Sequence, residues 1–367
     1  MKKFLCIVLS LVMLLIVFPG CAPNNIPDAT PGVENTETSK PDENENIETP
    51  KTEENDNSPE SSYPVEIIDS MGRKVTISEK PEKIVSGYYI STYMLINLGL
   101  KDKIVGIESK ANSRPVYKNF APELLEVPDV GTAKAVNQET ILSLNPDLIV
   151  LPYQQAETAS VFENLNIPTI VVKPETMDDF LYVLDILGKA TGHSDSLTGL
   201  IEWYESAWAD LETKTENLDK KTVYISSSSD ALNALSPKMF QADMIKAAGG
   251  KLVTDDLNES YWSKISLEQL YIYKPEFMFI SSGSDITPQD LLSDENWANI
   301  FVNENIFNLP CDLDGWDSPG LSSVLGAYFI ASKLHPDVVT AEDVMNLAEE
   351  YYKIAFDADV TIEQLGL

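Results

Sequence analysis

The chain has 367 residues and a formal net charge of -32, with 58 acidic side chains against 26 basic ones. Such a chain lacks the basic face that phosphate backbones require, so nucleic acid is excluded as a partner. Three cysteines (Cys6, Cys21, Cys311) and two well-separated histidines (His193, His335) supply neither a disulfide framework nor the usual ligand set of a transition metal. No resident metal or cofactor is therefore expected.

In chain order, Met1-Lys2-Lys3 precedes an apolar run from Phe4 to Phe18. A basic start and an apolar stretch shorter than the roughly 20 residues of a spanning helix have the layout of a secretory signal. The run ends at "FPGCAP", which resembles a bacterial lipobox, although Phe18 and Pro19 depart from its usual Leu and small residue. That resemblance implies removal of residues 1–20, acylation of Cys21, and a lipid-anchored protein on the extracytoplasmic face of the cell membrane. Ordinary secretion with a cysteine near the cleavage point is the alternative. From Ala22 to Ser62 the chain is rich in Asn, Glu, Thr and Pro and nearly free of large apolar residues. Too little apolar surface is present to offset ordering entropy, so residues 21–62 are expected to form a disordered acidic tether. Its reach is about 35 Å.

The remaining body, residues 63–367, is large enough for two cores. "YPVEIIDSMGRKVTI" alternates apolar and polar residues around Ser70-Met71-Gly72 and predicts a β-hairpin. A strand at Lys83–Gly87, a helix at about Ile90–Leu98 stopped by Gly99, and a strand at Lys103–Ile107 follow. After a loop with Pro115, Pro122 and Pro128, Asn137 is placed to cap a helix ending before Pro146. Asp147–Leu151 then reads as a buried strand, and a helix over Thr158–Leu165 and the strand "PTIVV" complete the alternation. Strands alternating with short helices imply a mainly parallel sheet covered on both faces. Residues from Ser194 to about Leu218 read as one long helix, with Leu197, Ile201, Trp208 and Leu211 on one stripe.

The alternation then restarts. "KTVYISSSS" is a strand, "KMFQADMIKAAGG" a helix with a double-Gly stop, "KLV" a short strand, and "EFMFISSGS" a strand running into a polar loop. Between the last two lies a helix opened by Ser266-Leu267-Glu268-Gln269, the S-x-x-Q form of a capping box. "QETILSLNPDLIVLP" at Gln138–Pro152 thus has an echo in "LEQLYIYKPEFMFIS" at Leu267–Ser281. In each, a Glu (139, 268) precedes a Pro (146, 275) by seven positions, and an acid (Asp147, Glu276) follows. The predicted fold is α/β: two Rossmann-like lobes with mainly parallel sheets, residues 63–190 and 219–367, joined by a single long helix over 191–218.

This arrangement resembles the iron-complex and cobalamin class of ABC-transporter substrate-binding proteins, the Fe/B12 periplasmic-binding domain family. The resemblance rests on "DSMGRKVTI" before "KPEKIVS", on "VGTAKAVNQETILSLNPDLIV", on "ISLEQLYIYKPEFMFIS" and on "WDSPGLSSVLGAYFIASKLHPD". It implies a class III substrate-binding protein of the helical-backbone metal-receptor type, monomeric, handing a metal chelate (a ferric siderophore or a corrinoid) to a dimeric permease. It further implies that Glu139 and Glu268 each meet a basic patch on one permease half. Taken singly, each Glu could merely favour its helix dipole by about 0.3–1 kcal/mol.

Ligands of open parallel sheets sit beyond the carboxyl ends of the strands. That rule, with the preference of binding sites for aromatic area plus a few polar groups, selects Tyr88, Tyr89, Lys110, Arg114, Tyr153, Gln154, Tyr261, Trp262, Ser282 and Trp316. The resemblance favours Trp262 in particular, because cobalamin receptors of the family place a cleft Trp six residues before the docking Glu. Tyr224, Tyr271 and Tyr273 fall on predicted strand or helix interiors and are left out. Cations are few, and Asp230, Asp314 and Asp317 would oppose an anion, so a chelate of low net charge is expected. An enzyme is disfavoured: the Ser322 region has no G-x-S-x-G turn and no His placed as base, and no phosphate loop or G-x-G-x-x-G is present. Two histidines do not suffice for a receptor of a bare Mn or Zn ion.

Overall fold

The first folded element is held by one buried carboxylate. In the hairpin of β1 (Val65–Ile68) and β2 (Lys74–Ile77), Asp69 is buried at the turn. Its two oxygens accept from the backbone N–H of Met71 and Arg73, from Nε and Nη2 of Arg73, and from the backbone N–H of Val171. The last bond clamps the hairpin to β8 (Thr169–Val172) of the same lobe, which explains why the turn reads Asp-Ser-Met-Gly-Arg. The computed structural model describes residues 63–302 and 305–367. The signal sequence, Cys21 and the tether lie outside the described residues.

The first lobe continues through β3 (Ile84–Ser86), α1 (Tyr89–Asn97), β4 (Ile104–Ile107), α2 (Pro115–Phe120), the short pair β5 (Gly131–Thr132) and β6 (Ala135–Val136), α3 (Gln138–Ser143), β7 (Leu148–Pro152), α4 (Ala156–Glu163) and β8 (Thr169–Val172). Its sheet is parallel throughout, in the order β4-β3-β7-β8. Helix α2 occupies the stretch read as loop; Pro115 at its first turn lacks only an N–H that no helix would use there.

The helix expected over 191–218 is present over Thr198–Thr215, and a second, unexpected helix precedes it. Helix α5 (Met177–Thr191) ends at Gly192, whose φ of 70° suits a residue without Cβ, and α6 (Thr198–Thr215) follows a 3-10 turn. Helix α5 opens with a full capping box between Thr176 and Asp179.

The second lobe comprises β9 (Lys221–Ser227), β10 (Asp230–Ala234), α7 (Gln241–Ala247), β11 (Gly250–Leu252), β12 (Ser263–Lys264), α8 (Leu267–Tyr273), β13 (Phe277–Ile280), α9 (Pro288–Leu292), α10 (Glu295–Ile300), β14 (Ile306–Asn308), α11 (Ser323–Leu334), α12 (Ala341–Phe356) and α13 (Ile362–Leu365). Strands β11, β9, β13 and β14 repeat the parallel order of the first lobe, and β10 and β12 add an antiparallel flank.

The internal repeat has a structural content. Asn137 and Ser266 cap α3 and α8 by accepting from the backbone N–H three residues on. Gln269 makes no return bond to Ser266, so the expected capping box is half formed. Each helix is followed by a left-handed residue, Asn145 or Lys274, before its Pro. The acid after each Pro then pins two strands: Asp147 Oδ2 accepts from the N–H groups of Glu82 and Lys83, and Glu276 Oε2 accepts from the N–H of Thr222.

Both sheets are buried on both faces by strict alternation. Val85, Ile149, Leu151 and Val171 pack outward under α3 and α4. Ile84, Val150, Ile170 and Val172 pack inward with Val223, Ile225 and Phe279 of the second lobe, in one core that includes α1, α5, α6, α11 and α12. Tyr224, Met278 and Ile280 form the outer layer of the second lobe.

Replacing Asp69 by Ala leaves buried N–H donors without an acceptor and removes one of the two acids paired with Arg73, with Glu163 remaining. The expected loss is about 3–5 kcal/mol of unfolding free energy in denaturant titration; a loss below about 1 kcal/mol would show that the hairpin is held by other contacts.

Candidate functional site

Strands β3, β4 and β7 of the first lobe and β13 and β14 of the second deliver their following loops to the region where the lobes face each other. Glu108, buried at the end of β4, organises the first-lobe side. Its carboxylate accepts from Thr92 Oγ1 of α1 at 2.8 Å and from the Tyr117 hydroxyl of α2 at 2.7 Å; burial raises its pKa. These bonds fix the two helices whose first turns begin at Tyr89 and just after Arg114.

Two cavities result. One, of about 150 Å³, is lined by Tyr93, Arg114, Tyr117, Ser282, Cys311 and Asp314, among others. The other, of about 240 Å³, is lined by Tyr88, Tyr153, Gln154, Lys238, Tyr261 and Trp262, with Lys173 and Glu175 at its edge. Tyr89, Ile90 and Pro319 border both, so they form the partition between a small polar compartment and a larger aromatic one.

The guanidinium of Arg114 lies 4.1 Å from the centroid of the Tyr89 ring, a cation–π contact. Its Nε is buried without a hydrogen-bond partner, and no acid pairs with it among the described residues. The other two lining cations are engaged: Lys173 pairs with Glu175 at 2.9 Å, and Lys238 donates to the Asn258 carbonyl. A planar five-donor fork left without acceptors between two lobes is suited to an oxygen-rich ligand.

The second-lobe wall carries a buried acid. Asp314 Oδ2 accepts from the Tyr93 hydroxyl of α1 at 3.0 Å, and Tyr93 also bonds Tyr351 of α12. Burial pushes the Asp314 carboxyl up to about 6, and Asp317 nearby adds to the rise. This is a polar seam between lobes; stacking of Phe120 on Phe356, with ring centroids 4.0 Å apart, and the bond from Asn119 Nδ2 to the Asp312 carbonyl extend it. The opposite side of the cleft has a thinner closure. Tyr261 donates to Glu175, and Tyr153 therefore donates to the Tyr261 hydroxyl across 2.6 Å.

Eight of the ten side chains selected from the sequence line these cavities: Tyr88, Tyr89, Arg114, Tyr153, Gln154, Tyr261, Trp262 and Ser282. Two do not. Trp316 is 1% exposed, and its indole N–H donates to the Tyr352 hydroxyl at 3.0 Å, so it is a core residue. Lys110 occupies a left-handed turn position on the exposed surface, outside both cavities. Among the acids expected to oppose an anion, only Asp314 faces a cavity. Asp230 pairs with Lys264 and caps Leu232, while Asp317 accepts from Ser282. Sequence reasoning missed Tyr93, Lys173, Glu175 and Cys311. Lys173–Glu175 directly follows β8 and satisfies the same post-strand rule; Tyr93 sits inside a helix and gave no signal.

His193 and His335 cap helix ends, with ring nitrogens against the carbonyls of Thr191 and Gly249. Among the described residues no group of three or more His, Cys, Asp or Glu is placed to hold a metal ion, and no helix is long and apolar enough to cross a membrane.

Two similar α/β lobes around a cleft, with polar and aromatic side chains from both walls, define a two-lobed ligand receptor. Residues 84–305 match the periplasmic binding protein family, and the chain belongs to that family. It is 24% identical over 287 residues to the uncharacterised ABC transporter substrate-binding lipoprotein YvrC of Bacillus subtilis, covering 75% of this chain and 87% of that one. It is 23% identical over 316 residues to the molybdate-binding protein MolA of Haemophilus influenzae, covering 78% and 89%. The crystal structure of a periplasmic solute binding protein from Veillonella parvula superposes with a TM-score of 0.73 at 22% identity, over 82% of this chain and 95% of that one. Other relatives carry the names petrobactin-, Fe(3+)-citrate- and vitamin B12-binding protein. The chain is thus an extracytoplasmic substrate-binding protein of an ABC importer, with the class III fold.

Asp314 generates a pH test. Its folded pKa lies above the unfolded value of about 4, so its contribution to stability is fully present below that pH and lost as pH rises through about 6. The Asp314→Asn variant keeps an acceptor for Tyr93 and cannot ionise. Its stability relative to wild type should rise between roughly pH 4 and pH 7, by on the order of 1–3 kcal/mol. Parallel pH–stability curves would contradict this assignment.

Proposed function

We propose that the protein is a lipoprotein anchored through Cys21 that captures a bulky metal chelate between its lobes, a ferric siderophore first and a corrinoid second. It then presents the chelate to the permease through Glu139 and Glu268. The observation that carries the ligand reading is Arg114, a guanidinium without a hydrogen-bond acceptor, set against Tyr89 where the polar and aromatic compartments meet. The aromatic compartment offers ring faces from Tyr88, Tyr153, Tyr261 and Trp262 to the apolar surface of a chelate. Arg114 offers donors to its oxygens. One free cation facing Asp314 supports a ligand of low net charge. The relatives named for petrobactin, Fe(3+)-citrate and vitamin B12 point to the same ligand class.

Neither compartment reaches the roughly 300–1,000 Å³ typical of sites that bury a drug-sized ligand. A bulky chelate therefore enters by parting the Tyr153–Tyr261 contact at the thin side of the cleft. A second reading follows from the same volumes: a small oxyanion held in the 150 Å³ compartment by Arg114 and the neighbouring hydroxyls, as the molybdate relative suggests. Docking through Glu139 and Glu268 is supported by what the repeat leaves over. Both carboxylates are exposed and have no partner among the described residues, whereas Asp147 and Glu276 of the same repeat are spent on strand pinning.

One experiment separates these readings. Tryptophan fluorescence is titrated with ferric hydroxamates, ferric catecholates, haem, cobalamin and molybdate, and uptake of whichever ligand binds is then measured in cells. A chelate should quench saturably at micromolar concentration or below and lose binding in Trp262→Ala. Molybdate binding that survives Trp262→Ala and is lost in Arg114→Ala would establish the oxyanion reading instead. Glu139→Lys with Glu268→Lys should leave the affinity unchanged and abolish uptake; an equal fall in affinity would overturn the docking assignment.

A further inference from the structure

Each docking helix presents more than its glutamate. Residues three and four positions apart share a helix face, so Glu268 shares one with Tyr271 and Ile272 on α8. Leu270, on the other side, is fully buried in the second-lobe core. An amphipathic surface helix would carry polar groups at 271 and 272. Here they are apolar and exposed, Tyr271 by 58% and Ile272 by 67%. Nor are they isolated. Tyr271 borders a groove of about 470 Å³ in which Phe277, Ile300 and Val302 alternate with Lys221, Lys274 and Glu276, and Val302 is 78% exposed. Single exposed apolar residues are ordinary, whereas adjacent exposed Tyr271 and Ile272 on one helix, with exposed Val302 across the groove that Tyr271 borders, mark an interaction site.

The first lobe supplies an internal control. At the matching positions of α3, Ile141 is buried, Leu142 is 37% exposed and Ser143 replaces Ile272. The repeat therefore conserves an acid with an apolar residue three positions later, but the second copy is much the more apolar. We infer that α8 and the adjoining groove form the anchoring half of the permease contact. Glu268 meets a basic side chain of one permease half there, while Tyr271, Ile272 and the groove take up an apolar side chain beside it. The α3 surface of the first lobe makes the weaker, mainly electrostatic contact. This inference rests on the docking reading above and adds to it that the two lobes are unequal. Exposed charges govern the rate of encounter and its salt dependence, whereas desolvated aromatic and aliphatic anchors govern dissociation.

The test places a photoreactive benzoylphenylalanine singly at Tyr271, Ile272, Leu142 and, as a distant exposed control, Tyr182. The full-length protein is irradiated in its own cells, and adducts are identified by mass spectrometry. Positions 271 and 272 should give adducts with a polytopic ABC permease subunit, Leu142 a lower yield of the same subunit, and Tyr182 none. The permease so identified, in lipid nanodiscs, should release the Tyr271→Ser/Ile272→Ser variant about tenfold faster than wild type, and Leu142→Ser at nearly the wild-type rate. Permease adducts at Leu142 but not at 271 or 272, or equal release rates, would overturn the unequal-lobe inference and leave two-lobe docking standing. No permease adduct at any position would overturn the docking reading itself. Adducts joining two copies of this chain at 271 and 272 would make the patch a self-association surface and refute the inference.

Discussion

The structure depends on a hydrophobic core that the two lobes share. Each parallel sheet turns alternate residues outward to a small private core and inward to a common one, where Val150, Ile170 and Val172 meet the same helices as Val223, Ile225 and Phe279. Helices α1, α5, α6, α11 and α12 complete that layer. Lobes built this way cannot swing apart without exposing core, which costs roughly 25 cal/mol for each Å² of apolar surface. The cleft is consequently a pre-formed feature, and its two sides differ in kind. Along the polar compartment it is sewn by Tyr93, Asp314 and Tyr351 and by the Phe120–Phe356 stack. At the aromatic compartment a short hydroxyl relay, Tyr153 to Tyr261 to Glu175, crosses the gap. The proposed capture of a chelate would move that thinner side, where the closing groups sit on loops that can shift without opening the core.

The repeat divides labour between two acids within eight residues of each other. The acid after each proline is structural: it satisfies N–H groups at the start of the lobe's first parallel strand and so sets the register of the central pair. The glutamate eight positions earlier is exposed and has no partner among the described residues. The eight positions between them are spanned in both copies by a short helix and its proline stop.

Much of this was legible in the sequence because it is written locally. Alternation gave the hairpin, Gly99 and the Gly249-Gly250 pair gave helix stops, and the matched Glu, Pro and acid gave the duplication. The post-strand rule led to Tyr88, Tyr89, Tyr153, Tyr261 and Trp262, since it depends only on where a strand ends. It failed for Trp316 and Lys110 because it names a loop and not a direction: the Trp316 indole turned inward to find Tyr352, and Lys110 took a left-handed turn that faces water. Helix α5 has its own local signal, with Phe180, Val183, Leu184 and Leu187 at helical spacing and Gly192 as its stop ahead of α6. What no local reading could supply is the seam. Tyr93 and Asp314 lie 221 positions apart, and nothing near either one announces the other.

Ligand capture is proposed to move the thin side of the cleft and to leave the shared core closed. Hydrogen–deuterium exchange of the full protein, with and without a saturating ligand, reads this most directly. Amides of α1, α11 and α12 should be equally protected in both states, while residues 173–176 and 253–262, around the Tyr153–Tyr261 contact, gain protection on binding. Rapid exchange throughout α1, α11 and α12 in the ligand-free protein, suppressed by ligand, would mean that the lobes separate, and would contradict the account.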